Sequence, residues 1–78
     1  MPTLYRTGNW KITMYFGDHQ PPHFHIVMKD GREALIALDG FEVMEGAVSG
    51  AALKAARKWA TANASLLSET WARMQQTR

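Results

Sequence analysis

The stretch GDHQPPHFH, residues 17–25, gathers all three histidines of the chain, two of its three prolines and the acid Asp18 into nine positions. Side chains two apart on an extended strand project from the same side, roughly 7 Å apart. Two imidazoles at that spacing can converge on one ion at about 2.0–2.1 Å from each nitrogen. His23 and His25 have this relation. His19 joins them only if Gln20-Pro21-Pro22 turns the chain back, which two prolines with φ near about −65° favour. Asp18 adds an oxygen ligand, or an acceptor that orients an imidazole. Asp18, His19, His23 and His25 are therefore the candidate metal ligands, with Zn or Mn as the candidate divalent ion. Four ligands with an open position suit a catalytic ion better than a closed structural one.

Two other chemistries fit the same residues. His23 and His25 are candidate catalytic groups that would work as general acid and base without metal, beside Tyr15 and Glu33. Alternatively, the loop is a stiff contact surface whose imidazoles are bonded to backbone carbonyls. The spacing matches no diagnostic metal motif. The structural or protein-contact reading therefore ranks first, metal second and metal-free catalysis third. With no cysteine in the chain and no Ser or Thr in a nucleophile turn, covalent catalysis has little support, and no Gly-rich phosphate loop is present.

The elements that must position these residues are legible as hydrophobic periodicity. WKITMYF (10–16) alternates with Trp10, Ile12, Met14 and Phe16 on one face, as a half-buried strand does. The short TLYR (3–6) can pair with it through Thr7-Gly8-Asn9. HFHIVMK (23–29) alternates again, and Asp30-Gly31 leads into REALIAL (32–38). A two-residue turn there would pair Ile26 with Leu35. A three-residue turn, Lys29-Asp30-Gly31 with a left-handed Gly31, pairs Ile26 with Ala34 and Phe24 with Ile36 and unites the apolar faces, so it is the register expected. His23 and His25 then lie on the opposite face, beside Glu33, Leu35 and Ala37.

A further short strand is expected at Phe41–Met44. Ser49 reads as the N-cap of an amphipathic helix with Leu53, Ala56 and Ala60 on its apolar side. Leu67, Thr70, Trp71 and Met74 continue at helical spacing, and a break near Asn63 divides two helices. The expected class is α+β: a small antiparallel sheet of three to four strands within residues 3–44, covered on one face by two C-terminal helices within 50–76. Residues 1–78 are expected to form a single unit, since no repeat, linker or low-complexity run interrupts them.

Charge is unevenly placed. Up to residue 50, four basic residues face six acidic ones, and from 51 onward five basic residues face Glu69 alone. Lys54, Arg57 and Lys58 make the exposed helix side a candidate contact for nucleic acid or an acidic partner, although such a stripe is commonly just a solvated face. A helix-turn-helix reader is disfavoured, because Gln75, Gln76 and Arg78 stand at the wrong end of the second helix. No basic stretch precedes an apolar run, and none approaches the roughly 20 residues of a membrane span. The expectation is a cytoplasmic chain with no membrane contact.

Together, MPT at the N-terminus, a GN turn before an aromatic strand, YFGDHQPPHFHI, and LL followed four residues later by Trp resemble a short bacterial family, domain of unknown function 4160. The DHxPPHFH core falls at Asp18, His19, Pro21, Pro22, His23, Phe24 and His25. The Ala-rich first helix and the preceding MEGAVSG depart from the more charged versions. The resemblance implies a small cytoplasmic bacterial protein often encoded beside another small protein, in the manner of toxin–antitoxin pairs. It implies no catalytic residue list.

Two functional expectations follow. One is a binding or regulatory module that docks the neighbouring gene's product, or a second copy of itself, through the His/Pro-rich loop. The other is a metal-dependent hydrolase or nuclease built on His19, His23 and His25.

Overall fold

The computed structural model describes residues 3–15, 17 and 19–75. Five strands form one antiparallel sheet in chain order: β1 (Thr3–Arg6), β2 (Trp10–Thr13), β3 (His23–Met28), β4 (Glu33–Ala37) and β5 (Val43–Gly46). Helices α1 (Gly50–Ala62) and α2 (Ala64–Gln75) follow. The class is α+β as expected, but the sheet has five strands where three to four were expected.

The extra strand reflects both short edges being in the sheet. TLYR pairs with β2 through a turn in which Thr7 Oγ1 accepts from the amides of Asn9 and Trp10, both at 3.1 Å. At the other edge, β5 begins at Val43 rather than Phe41. Gly40 and Phe41 both have positive φ, 78° and 53°, and the Ala37 amide closes the turn on Glu42 O at 2.9 Å. The strand then runs past Met44 to Gly46, beyond the expected limit at 44. Gly46 pairs with Ala34 at φ 80°, and a Cβ there would overlap the Glu33 carbonyl oxygen. Only glycine tolerates both conditions.

The central hairpin has the expected register. Phe24 faces Ile36 and Ile26 faces Ala34. Met28 donates to Arg32 O across a three-residue turn, with Gly31 at φ 97°. The expected strands at 10–16, 23–29 and 32–38 are each trimmed. β2 ends at Thr13, although Met14 is fully buried on the expected face. Phe16 lies outside the described residues.

Ser49 caps α1 by accepting from the Ala52 amide at 3.1 Å, a bond worth about 1 kcal/mol. The buried stripe of α1 is Ala52, Ala56 and Ala60; Leu53, expected in it, sits at its margin. The helix break falls at Asn63, whose side-chain amide donates back to Trp59 O at 2.9 Å. Leu67, Trp71 and Met74 of α2 join Ala56 and Ala60 over a single sheet face made by Ile12, Phe24, Ile26, Ala34 and Ile36, with Met14 just beyond β2 in the same core. Tyr5 stacks on Trp59 with ring centroids 5.1 Å apart and ties the first edge strand to α1.

A meander of this kind sends alternate connections to opposite ends of the sheet. The β2–β3 loop and the β4–β5 turn share one end, where Leu38 donates to Pro22 O at 3.0 Å. At the other end, the β1–β2 and β3–β4 turns meet, joined by the Lys29 amide to Asn9 O at 2.8 Å. This division decides which residues can act together.

Candidate functional site

The histidines occupy the first of those ends. His23 and His25 alternate with Phe24 along β3, so Phe24 enters the core under the helices and the imidazoles take the other face. That face is not bare: His23 is 1% and His25 8% exposed. The chain between β2 and β3 brings Tyr15 edge-on to His25, with centroids 4.6 Å apart. His19 stands 5.3 Å from His23, and His23 5.2 Å from His25, so the proline turn does carry His19 back to the pair. Gln20-Pro21 is a cis bond. Asp18, the fourth candidate ligand, lies outside the described residues.

Each imidazole has its Nδ1 tied to an oxygen. His23 Nδ1 donates to Pro21 O at 2.8 Å, His25 Nδ1 to Glu33 Oε2 at 2.7 Å, and His19 Nδ1 to Gln20 O at 3.1 Å. A carbonyl or carboxylate can only accept, so these bonds put a proton on Nδ1 and fix ring orientation. The His25–Glu33 bond is a diagonal across the β3–β4 hairpin, one step from the His25↔Leu35 pair. A carboxylate-oriented imidazole has the chemistry of a general base or of a metal ligand. Among the described residues, however, no group of three or more His, Asp or Glu side chains is placed to hold a metal ion.

Sequence reasoning missed what stands on the other side of His23. Trp71, which sequence spacing places on the apolar side of the second helix, puts its ring 5.2 Å from the His23 ring. Together with Pro21, Pro22, Ala37 and Leu38 it walls a concave surface of about 360 Å³, whose rim carries Asp39 and Ser68. The prolines were a visible signal for this surface, but nothing in the local pattern linked them to a tryptophan nearly fifty positions later.

The basic helix residues do not act as one set. Lys54 and Lys58 are exposed on α1. Arg57, expected in the same contact stripe, donates from Nε to Phe41 O at 2.9 Å and so holds the left-handed turn before β5. Gln76 and Arg78 lie outside the described residues.

An antiparallel five-stranded sheet with two helices on one face, and a proline-flanked histidine row on the other, is the class that these features define. The chain matches the family described as Domain of unknown function (DUF4160) over residues 9–72, most of its length, and belongs to that family. No curated protein and no solved structure matches it. No helix among the described residues is long and apolar enough to cross a membrane.

Proposed function

We propose that this chain is a binding module of a two-protein, toxin–antitoxin-like system, and that it docks the product of a neighbouring gene at the concavity beside its proline-rich loop. The observation that carries this reading is the division of labour within residues 19–25. Pro21 and Pro22 face outward as walls of an apolar hollow, whereas His23 and His25 behind them are buried and hydrogen-bonded to the chain itself. Such a hollow, lined by Trp71, Leu38 and two rigid prolines with a polar rim, has the anatomy of an anchor pocket at a protein interface. The prolines lose little conformational freedom on binding, which lowers the entropic cost of docking.

The test is co-purification and calorimetry with the neighbouring gene product. Ser68 is exposed on α2 at the rim, so Ser68→Arg fills the hollow without touching the core. It is expected to weaken the complex by on the order of tenfold or more, the effect of blocking an anchor pocket, and to shift unfolding by under about 0.5 kcal/mol. No complex with the wild type, or a complex indifferent to Ser68→Arg, overturns the reading. Native mass spectrometry of the wild type covers the rival: one divalent ion per chain, lost in His23→Ala and His25→Ala, together with hydrolytic turnover, would replace the docking module by a metal-dependent hydrolase or nuclease.

A further inference from the structure

The helices cover one face of the sheet, and the other face carries a charge pattern that is complementary to itself. Ile12, Ile26 and Ala34 turn toward the helices, so their strand neighbours Lys11, Val27, Glu33 and Leu35 project from the opposite side. The strand registers set these residues in rows. One row runs Arg6, Lys11, Val27, Glu33 across β1 to β4, and the next ends with Leu35 and Glu45 on β4 and β5. Positive charge therefore stands on β1 and β2, negative charge on β4 and β5, and Val27 at the centre on β3. Val27 and Leu35 are partly exposed there, since both helices pack on the other side.

These charges are not neutralised within the chain. Arg6 stands directly opposite Lys11, and a like-charged pair at such a position costs the sheet stability. Among the described residues, Arg6, Lys11 and Glu45 have no opposite charge within ion-pair distance. Glu33 accepts from His25 through Oε2, yet its side chain stays 43% exposed, open to a second donor. The placement is also centred. Lys11 and Glu33 sit one strand to either side of β3, and Arg6 and Glu45 sit two strands to either side.

We propose that this face binds the same face of a second copy of the chain, about a two-fold axis that runs along β3 between the two sheets. Such an axis lays β2 of one protomer over β4 of its partner and keeps each row over itself. Lys11 then meets the partner's Glu33, Val27 meets the partner's Val27, and Arg6 reaches toward the partner's Glu45. The symmetry makes each attraction twice. A two-fold axis across the strands would instead lay each strand over itself and set Lys11 against Lys11, so the charges choose between the two. Two sheets packed face to face in near alignment, about 10 Å apart, accommodate the arrangement. An unrelated partner would need a mirrored pattern of acid and base, which a second copy carries already. The face is separate from the proline hollow, and the assignment stands or falls independently of the docking proposal.

The experiment is sedimentation equilibrium of the full chain at about 10–500 μM, the concentrations that a small and partly polar interface calls for. The wild type is expected to approach the mass of two chains at the upper end. Its dissociation constant should rise at least about fivefold between about 50 mM and about 500 mM salt, as screened ion pairs require. Arg6→Glu with Lys11→Glu makes the face wholly acidic, and Glu33→Lys with Glu45→Lys makes it wholly basic. Each variant alone is expected to weaken self-association at least about tenfold, because like charges then face each other. Mixed in equal amounts, the two are expected to form a heterodimer. All four changes in one chain keep the net charge, exchange the two signs across β3, and are expected to restore self-association. Arg6→Glu and Glu45→Lys, which leave the His25–Glu33 bond intact, should show the same loss and rescue at about threefold each. Circular dichroism confirms that each variant is folded. A wild type that stays monomeric, or charge variants that self-associate as the wild type does, overturns the assignment. So does a mixture that associates no better than the basic variant mixed with Lys54→Glu/Lys58→Glu, whose reversed charges lie on α1. Loss of the dimer in Ser68→Arg would place the contact at the proline hollow and likewise overturn it.

Discussion

Replacing Phe24 by alanine is expected to remove about 3–5 kcal/mol of stability, the usual cost of emptying a buried phenylalanine site. The residue sits on the central strand of five, fully buried, facing Ile36 across the hairpin and meeting the Phe41 ring edge-on at 6.3 Å. A chain of 78 residues has a total stability of about 4–12 kcal/mol, so this one change consumes a large share of it. The melting temperature should fall by on the order of 15 °C or more. Urea unfolding followed by tryptophan fluorescence and far-ultraviolet circular dichroism gives the free energy directly. Val43→Ala, at an exposed position of the edge strand, is the comparison and should cost under about 1 kcal/mol. Equal losses at the two positions would mean that the core is not where the sheet and helices place it. The prediction matters for the site because Phe24 lies between His23 and His25. Its burial is what turns both imidazoles to the other face.

That alternation explains why much of the fold could be read in advance. Phe24, Ile26, Ala34 and Ile36 unite on one face in a single register, and Gly31 has the freedom that this register demands, so local pattern and tertiary packing agree. Where they part, the reasons are identifiable. Phe41 looks like the start of a strand by composition, but it takes a positive φ that composition does not signal, held there by Arg57 from a distant helix. Leu53 is the larger residue, yet Ala52, Ala56 and Ala60 are the buried residues of α1 and Leu53 packs at the margin of the core, because small side chains let the helix approach. The candidate site divided in the same way. The proline turn that returns His19 to His23 was readable from two fixed φ angles, whereas Trp71 against His23 was not.

The histidines themselves offer the second large effect, as a graded series. His23→Ala is expected to cost about 2–4 kcal/mol, since it opens a cavity beside Trp71 and strands the Pro21 carbonyl. His25→Ala should cost about 1–2 kcal/mol. It loses a bond to a half-exposed carboxylate and the edge contact with Tyr15, which solvent partly replaces. His19, exposed and bonded only to the neighbouring Gln20 carbonyl, should cost under about 0.5 kcal/mol. His23→Asn should recover about 1 kcal/mol of the loss, because its side-chain amide can stand in for the Nδ1 donor toward Pro21 O. The measurement is urea unfolding of the four variants and the wild type, each with and without a chelator. An ion shared by the three rings would give similar losses at all three positions, and chelation would bring the wild type down to the level of the variants. A series ordered by burial, unmoved by chelator and partly rescued by asparagine, would mean that the imidazoles serve as struts. Their work is then to set the proline turn and Trp71 at the distance that opens the hollow between them.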